Sequence, residues 1–244
     1  MKLSRIALAF LLPVIHSSAA TLIHDYQFQN NLADSFGGPS LVSLGGTVGS
    51  GTYTFGAQQG LSLSNALLNS ADYSLFMNFE FSSASGYEKI VDFKNLTSDS
   101  GLYNLSAALN FSPAAATGFA NTMPAGTFVN VAITRDAASS MVFGYVNGVQ
   151  QWQFTDTPSD GTFSSANNII NFFQDDTTTG GRESSAGVAT RIQIFDGALT
   201  GAEVAALPAS GAPSNVPEPM SLSLSGAGLS LCLLLHSRRN RTAS

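Results

Sequence analysis

At 244 residues, with 23 glycines and a formal net charge of −6, the chain is long enough for one domain with a full hydrophobic core. Within residues 21–216, five Lys/Arg stand against fifteen Asp/Glu, a net charge of −10, which excludes a phosphate backbone as a partner. The single cysteine, Cys232, lies close to the C-terminus, so residues 21–216 hold no disulfide and no thiol chemistry, and their stability must come from packing.

In chain order, the first segment reads as an export signal. Lys2 and Arg5 precede an apolar run from Ile6 to Ile15, and Ser18-Ala19-Ala20 supplies the small residues of a cleavage site. The expectation is a signal helix over 1–20, cut between Ala20 and Thr21. Beyond it, helical periodicity gives way to period-two alternation. Strands are predicted at Leu22–Phe28, Thr52–Phe55, Tyr73–Phe81, Ile90–Phe93 and Leu102–Leu109. They continue at Val129–Thr134, Met141–Val146, Val149–Phe154, Asn168–Phe173 and Val188–Phe195. Tyr73, Leu75, Met77, Phe79 and Phe81 fall on one face of their strand. Asn147-Gly148 joins two strands as a two-residue hairpin, because both positions tolerate positive φ. Many short strands separated by Gly/Ser/Asn/Thr-rich turns predict an all-β, antiparallel sandwich over 21–207.

One helix interrupts this pattern. Thr200-Gly-Ala-Glu203 is a capping box, and Pro208 stops the helix after about one and a half turns. Residues 208–216 are a Pro/Ala/Ser/Gly linker. The tail 217–244 holds Pro217-Glu218-Pro219, an uncharged run over 220–235, and Arg238, Arg239 and Arg241. That run falls just below the roughly 17–20 residues of a spanning helix, and the arginines would keep its end cytoplasmic.

Candidate chemistry is sparse. His24 is the one histidine in 21–216 and no Gly-x-Ser-x-Gly elbow accompanies it, so a triad is not supported and His24 reads as an edge-strand residue. Glu88 and Asp92 are spaced i,i+4 on one strand and read as a solvated outer sheet face; a glycosidase would need paired carboxyl groups about 5–5.5 Å apart. The stretch Phe172 to Ser184 gathers Asp175, Asp176 and Glu183 among threonines and glycines, hard oxygen ligands that make calcium the candidate metal. It is no EF-hand, since the twelfth position is Ala186. Asp34 and Asp196 would help only if the fold brought them close. Trp152, Tyr87 and Tyr103 are the aromatics available to stack on a sugar.

The tail resembles the PEP-CTERM sorting signal of Gram-negative bacteria, in which a Pro-Glu-Pro triplet, a short apolar helix and a basic cluster follow in that order. The resemblance implies recognition by an exosortase-type processing enzyme, transient inner-membrane tethering, and delivery to the cell surface or an exopolysaccharide matrix. The body resembles a laminin-G-like, concanavalin A-like jelly roll. The matching pieces are Tyr26-Gln-Phe28 with Asp34, Phe55-Gly56, Gly60-Leu61-Ser-Leu63, Val131 to Asp136, Tyr145-Val-Asn-Gly148 and Arg191 to Thr200. That resemblance implies a carbohydrate or protein ligand, often with calcium. The expected function is a non-enzymatic surface or matrix protein that binds glycan or exopolysaccharide. A polysaccharide hydrolase of the same architecture, or a structural matrix protein without a ligand, are the alternatives.

Overall fold

A computed structural model describes residues 20–163 and 167–208. The signal helix, most of the linker, the Pro217-Glu218-Pro219 triplet, the 220–235 helix and the terminal arginines therefore lie outside the described residues. Among those described, no helix is long and apolar enough to cross a membrane.

The first strands are β1 (Thr21–Tyr26), β2 (Val42–Ser43), β3 (Thr47–Val48), β4 (Tyr53–Phe55) and β5 (Leu61–Leu63). Next come β6 (Tyr73–Phe81), β7 (Tyr87–Asp92), β8 (Gly101–Leu105), β9 (Ala108–Ser112) and β10 (Ala116–Thr117). The last are β11 (Val129–Asp136), β12 (Met141–Val146), β13 (Val149–Thr155), β14 (Ile170–Phe172) and β15 (Gly187–Asp196), followed by the helix α1 (Gly201–Ala205).

Two antiparallel sheets result. The larger has eight strands in the order β13-β12-β11-β6-β15-β4-β3, with β1 also on β15. One side of β15 pairs with β6 over nearly its whole length, while its other side is shared between β4 and β1. The smaller sheet has seven strands, β10-β9-β8-β7-β14-β5-β2. All-β antiparallel sandwich architecture is what the alternation predicts. The facing sides of the sheets meet in one apolar core: Leu75, Met77 and Phe79 from β6, with Val131 and Ile133 from β11, oppose Val91, Leu102, Phe111 and Phe172 of the smaller sheet.

Alternation on β6 continues outward as a second, smaller cluster. Phe76, Ala132, Tyr145 and Phe195 on the outer face of the larger sheet are covered by Leu199 and by Val204 of α1. The capping box forms as expected: the Thr200 hydroxyl accepts from the Glu203 amide, and the Glu203 carboxylate accepts from the Thr200 amide at 2.7 Å.

Two sequence expectations change. Leu102–Leu109 is a hairpin of two strands, β8 and β9, turning at Ser106 (φ 49°) and Ala107 (φ 68°). Neither residue is a usual bearer of positive φ, which is why composition gave no turn signal. Main-chain bonds hold the turn: Ser106 donates to the Gly86 carbonyl (2.8 Å), and the Ala107 carbonyl accepts from Met123 (3.0 Å). Asn147-Gly148, by contrast, turns as its dipeptide dictates, with φ 50° and 78°. The second change concerns β7 and governs the site.

Candidate functional site

Strand β7 carries an extra residue. Lys89 pairs with Tyr103 and Val91 with Leu102, so Ile90 bulges between consecutive partners on β8. In a regular strand, Lys89 and Asp92 would point to opposite faces and Glu88 and Asp92 to the same one. The bulge reverses both relations. Lys89 and Asp92 now share the outer face, away from the core, with Nζ to Oδ2 at 3.9 Å. Glu88 lies across the sheet from them, and both Glu88 and Asp92 are buried. The expected solvated Glu88/Asp92 face is therefore absent, because a bulge that spacing alone does not reveal separates the two acids.

The loop between β14 and β15 leaves the sheet at Phe173, whose amide donates to the Ile90 carbonyl at 3.0 Å. It returns at Glu183, whose carbonyl accepts from the Lys89 amide at 2.7 Å. Between those points it lays Asp175 and Asp176 over Lys89. The Lys89 ammonium is 0% exposed and donates to Asp176 Oδ2 at 3.1 Å. Asp175 Oδ1 lies 3.6 Å away, and the Tyr103 ring centroid is 4.4 Å from the charge. The acids are fixed in turn by the main chain. Asp175 accepts from the Glu183 amide (3.0 Å) and the Thr179 hydroxyl (3.1 Å), and Asp176 from the Thr178 amide (2.6 Å). Asp92 accepts from the amides of Lys94 (3.1 Å) and Leu96 (2.7 Å).

One ammonium among three buried carboxyl groups leaves an excess of negative charge. Burial raises Asp92 above the usual carboxylate range, against the opposing pull of the Leu96 amide and Lys89. For Asp176, burial pushes the same way, but the hydrogen bonds from Lys89 and Thr178 outweigh it and hold the group below that range.

Asp175 and Asp176 thus come together as their spacing suggests, but the cation between them belongs to the protein. Calcium does not fit where the Lys89 ammonium already stands. Among the described residues, no set of three or more His, Cys, Asp or Glu side chains is arranged to hold a metal ion. The calcium expectation fails for a long-range reason: Lys89 is 87 residues from Asp176, and acidic loop composition does not announce a lysine from another strand. Asp34 and Asp196 are elsewhere. Asp34 accepts from His24 (2.8 Å) and from the amides of Asp25 and Gly38, and Asp196 ends β15 beside Thr21. His24 sits on β1 as expected, with its other ring nitrogen 3.0 Å from the Ala66 carbonyl oxygen.

The rim of the cluster reaches solvent. Tyr103 donates to Asp99 Oδ1 at 2.8 Å, and the charge of Asp99 acts on the Glu183 carboxyl. Burial, followed by the charges of Asp99 and Asp175, pushes Glu183 up to about 7. Tyr87 packs edge-on against Tyr103 (5.3 Å, 84°) yet stays 39% exposed. Of the three aromatics considered for stacking, only Tyr87 is presented: Trp152 is buried with its indole N–H on the Leu109 carbonyl at 3.0 Å, and Tyr103 is covered. Asp99 and Lys89 join the site through the fold. The available signal was Lys89 itself, one of five cations in 21–216, placed beside the apolar Ile90-Val91 pair.

The Glu183 shift has a direct consequence. Its folded pKa lies above the ordinary 4.5, so the folded state favours the protonated acid. That stabilisation is complete below about pH 4.5 and is lost as pH rises through about 7. Glu183→Gln keeps a neutral hydrogen-bonding group at every pH. Its melting temperature is expected to fall less than that of the wild type between those limits, and parallel pH profiles would contradict the assignment.

Comparison with known proteins bears on the fold. The family described as the concanavalin A-like lectin/glucanases superfamily matches residues 55–205. Comparison with the curated proteins finds no match. Among solved structures, the chain is similar to domain 4 of an extracellular GH43 arabinanase from Geobacillus stearothermophilus, solved with arabinotriose. Identity is 20% and the TM-score 0.58, over 78% of this chain and 98% of that one. The binding domain of botulinum neurotoxin serotype D matches at 12% identity and a TM-score of 0.56, over 76% and 51%. Trypanosoma rangeli sialidase, in complex with 2,3-difluorosialic acid, matches at 13% and 0.57, over 75% and 32%. The chain thus spans about half of the neurotoxin domain and a third of the sialidase.

Proposed function

The chain belongs to the concanavalin A-like lectin/glucanases superfamily, and from that premise we propose that it is a non-enzymatic, carbohydrate-binding module of an exported surface or matrix protein. The observation that carries this reading is the rim beside the Lys89 cluster. Tyr87 offers a partly exposed aromatic ring at right angles to Tyr103, whose hydroxyl donates to Asp99, and the charge of Asp99 in turn acts on Glu183. A pyranose or furanose ring presents C–H faces to an aromatic and hydroxyl donors to carboxylates, and this rim supplies both partners. The arabinanase domain solved with arabinotriose has the same architecture, which lends further support.

Binding is favoured over hydrolysis by how the acids are used. Asp99 is engaged by the Tyr103 hydroxyl, and burial, with the charge of Asp99, pushes Glu183 up. Asp92, Asp175 and Asp176 are buried around Lys89. A glycan array probed with the full chain tests the reading. Retention of one or more oligosaccharides without their cleavage is expected, whereas turnover of a bound glycan would favour the hydrolase and an entirely silent array the structural matrix protein.

The export half of the proposal rests on the two ends. A cut between Ala20 and Thr21 would leave β1 whole, since that strand begins at Thr21. Pro217-Glu218-Pro219, the 220–235 run and Arg238, Arg239 and Arg241 would then act as a transient membrane handle for an exosortase-type enzyme. Deleting Pro217–Pro219 is expected to leave the protein unprocessed in the membrane fraction. Unchanged processing, followed by immunoblot of fractionated cells, would remove the sorting role.

A further inference from the structure

On the far side of the sandwich from Lys89, the outer face of the larger sheet carries a hollow of about 690 Å³, within the range of small-molecule sites. Its floor is built by alternation. Thr134 and Asp136 leave β11 on the side opposite the core residues Val131 and Ile133. Phe143 and Tyr145 leave β12 on that same side, with Phe143 paired to Thr134. One wall is the segment that follows β15. The Ser74 hydroxyl pins it, donating to the Gly197 carbonyl at 2.9 Å and accepting from the Leu199 amide at 2.8 Å. Asp72, just before β6, and Asp196, at the end of β15, complete the lining.

The charge of this lining has one sign. Asp72, Asp136 and Asp196 bring three carboxylates, and no Lys, Arg or His stands among the lining residues. Arg135 follows the alternation to the other face, where it donates to Asp156 at 2.9 Å. The Asp136 carboxylate stays ionised: the Ser139 hydroxyl, with the amides of Ala138 and Ser139, holds it below the usual carboxylate range. Asp72 and Asp196 have no side-chain hydrogen bond or ion pair among the described residues. Phe143 and Tyr145 form an aromatic wall, their ring centroids 6.5 Å apart and their planes 26° from parallel. At the floor, the Thr134 hydroxyl is fully buried and has no hydrogen-bond partner of sound geometry, although it lies near enough to the Tyr145 hydroxyl to ease that group's ionisation. A buried hydroxyl without a partner is a standing loss that a ligand can relieve.

We propose that this hollow is a second binding site, for an organic ammonium ion on an apolar stem, carried by a free polyamine or a lysine side chain. The carboxylates supply countercharge and acceptors, and the Thr134 hydroxyl accepts a further hydrogen bond. The rings of Phe143 and Tyr145 attract the cation and cover its methylene stem. A bare metal ion would leave the aromatic wall unused, and the described residues hold no set of three metal-ligating side chains arranged for one. The site is independent of the rim at Tyr87, which belongs to the other sheet.

Isothermal titration of the full chain at low ionic strength tests this, with spermidine as one probe and Nα-acetyl-lysine methylamide as the other. Saturable binding is expected. Tighter binding of spermidine assigns the site to free polyamines, and tighter binding of the lysine derivative assigns it to a protein side chain. Asp72→Asn and Asp136→Asn are each expected to weaken binding at least about tenfold, and Phe143→Leu about threefold. Thr134→Val should also lose about threefold in affinity. Its melting temperature should hold, because the hydroxyl it removes has no partner in the fold. Glu80→Gln, near the other end of β6 and outside the hollow, controls for overall charge and should change affinity less than about twofold. No saturable heat from either probe, or a loss in Glu80→Gln equal to that in Asp136→Asn, would overturn the proposal. So would displacement of spermidine by an equal concentration of magnesium, the mark of a diffuse counterion effect.

Discussion

Replacing Lys89 with methionine is expected to lower the unfolding free energy by about 3–5 kcal/mol, the cost of leaving buried charge without its partner. Methionine keeps the apolar stem and removes only the ammonium. Asp92, Asp175 and Asp176 would then face one another with main-chain amides and Thr179 as their remaining partners. Against a typical domain stability of about 5–15 kcal/mol, that loss frees the 173–183 loop or unfolds the sandwich. Urea denaturation monitored by Trp152 fluorescence measures it. Adding Asp175→Asn and Asp176→Asn to Lys89→Met should recover part of the loss, since neutral amides tolerate burial better than carboxylates. A Lys89→Met cost below about 1 kcal/mol, or no recovery in the combined variant, would mean that the cluster does not hold the loop through charge.

The second large effect is on binding and leaves stability alone. Tyr87→Ala is expected to weaken glycan affinity at least about tenfold, or roughly 1.4 kcal/mol. The side chain is 39% exposed and packs at right angles to Tyr103, so thermal unfolding should move little. Isothermal titration with a glycan retained on the array gives the affinity. Unchanged affinity would place the sugar elsewhere on the surface. Tyr87→Phe should keep most of the binding, because stacking uses the ring face and needs no hydroxyl.

The two variants separate what the sequence discloses from what it conceals. Alternation is a local property, so the apolar face of β6 and the Asn147-Gly148 hairpin were legible residue by residue. The capping box at Thr200 and Glu203 was equally plain, because its two partners lie three residues apart. The hairpin at Ser106-Ala107 was hidden, since main-chain contacts with Gly86 and Met123 hold its left-handed residues in place of glycine or asparagine. The site was half legible. Asp175 and Asp176 drew attention as a pair, but the identity of their cation depends on a bulge at Ile90 and on a loop crossing from another strand. A bulge adds one residue to a ladder and leaves no compositional mark, yet it exchanged Glu88 for Lys89 on the face that matters. Asp99 and Tyr103 joined the site for the same reason: register placed Tyr103 opposite Lys89, and Asp99 followed through the tyrosine hydroxyl.

The proposed carbohydrate site is the rim of the Lys89 cluster. A rival location exists on the outer face of the larger sheet, an open hollow lined by Thr134, Phe143, Tyr145, Gln150 and Thr200. Chemical-shift mapping by NMR, with a glycan retained on the array titrated into isotope-labelled protein, decides between them. Shifts that saturate together at Tyr87, Asp99, Tyr103 and Glu183 are expected, with the hollow unperturbed. Shifts confined to Phe143, Tyr145 and Thr200, with Tyr87 silent, would contradict it.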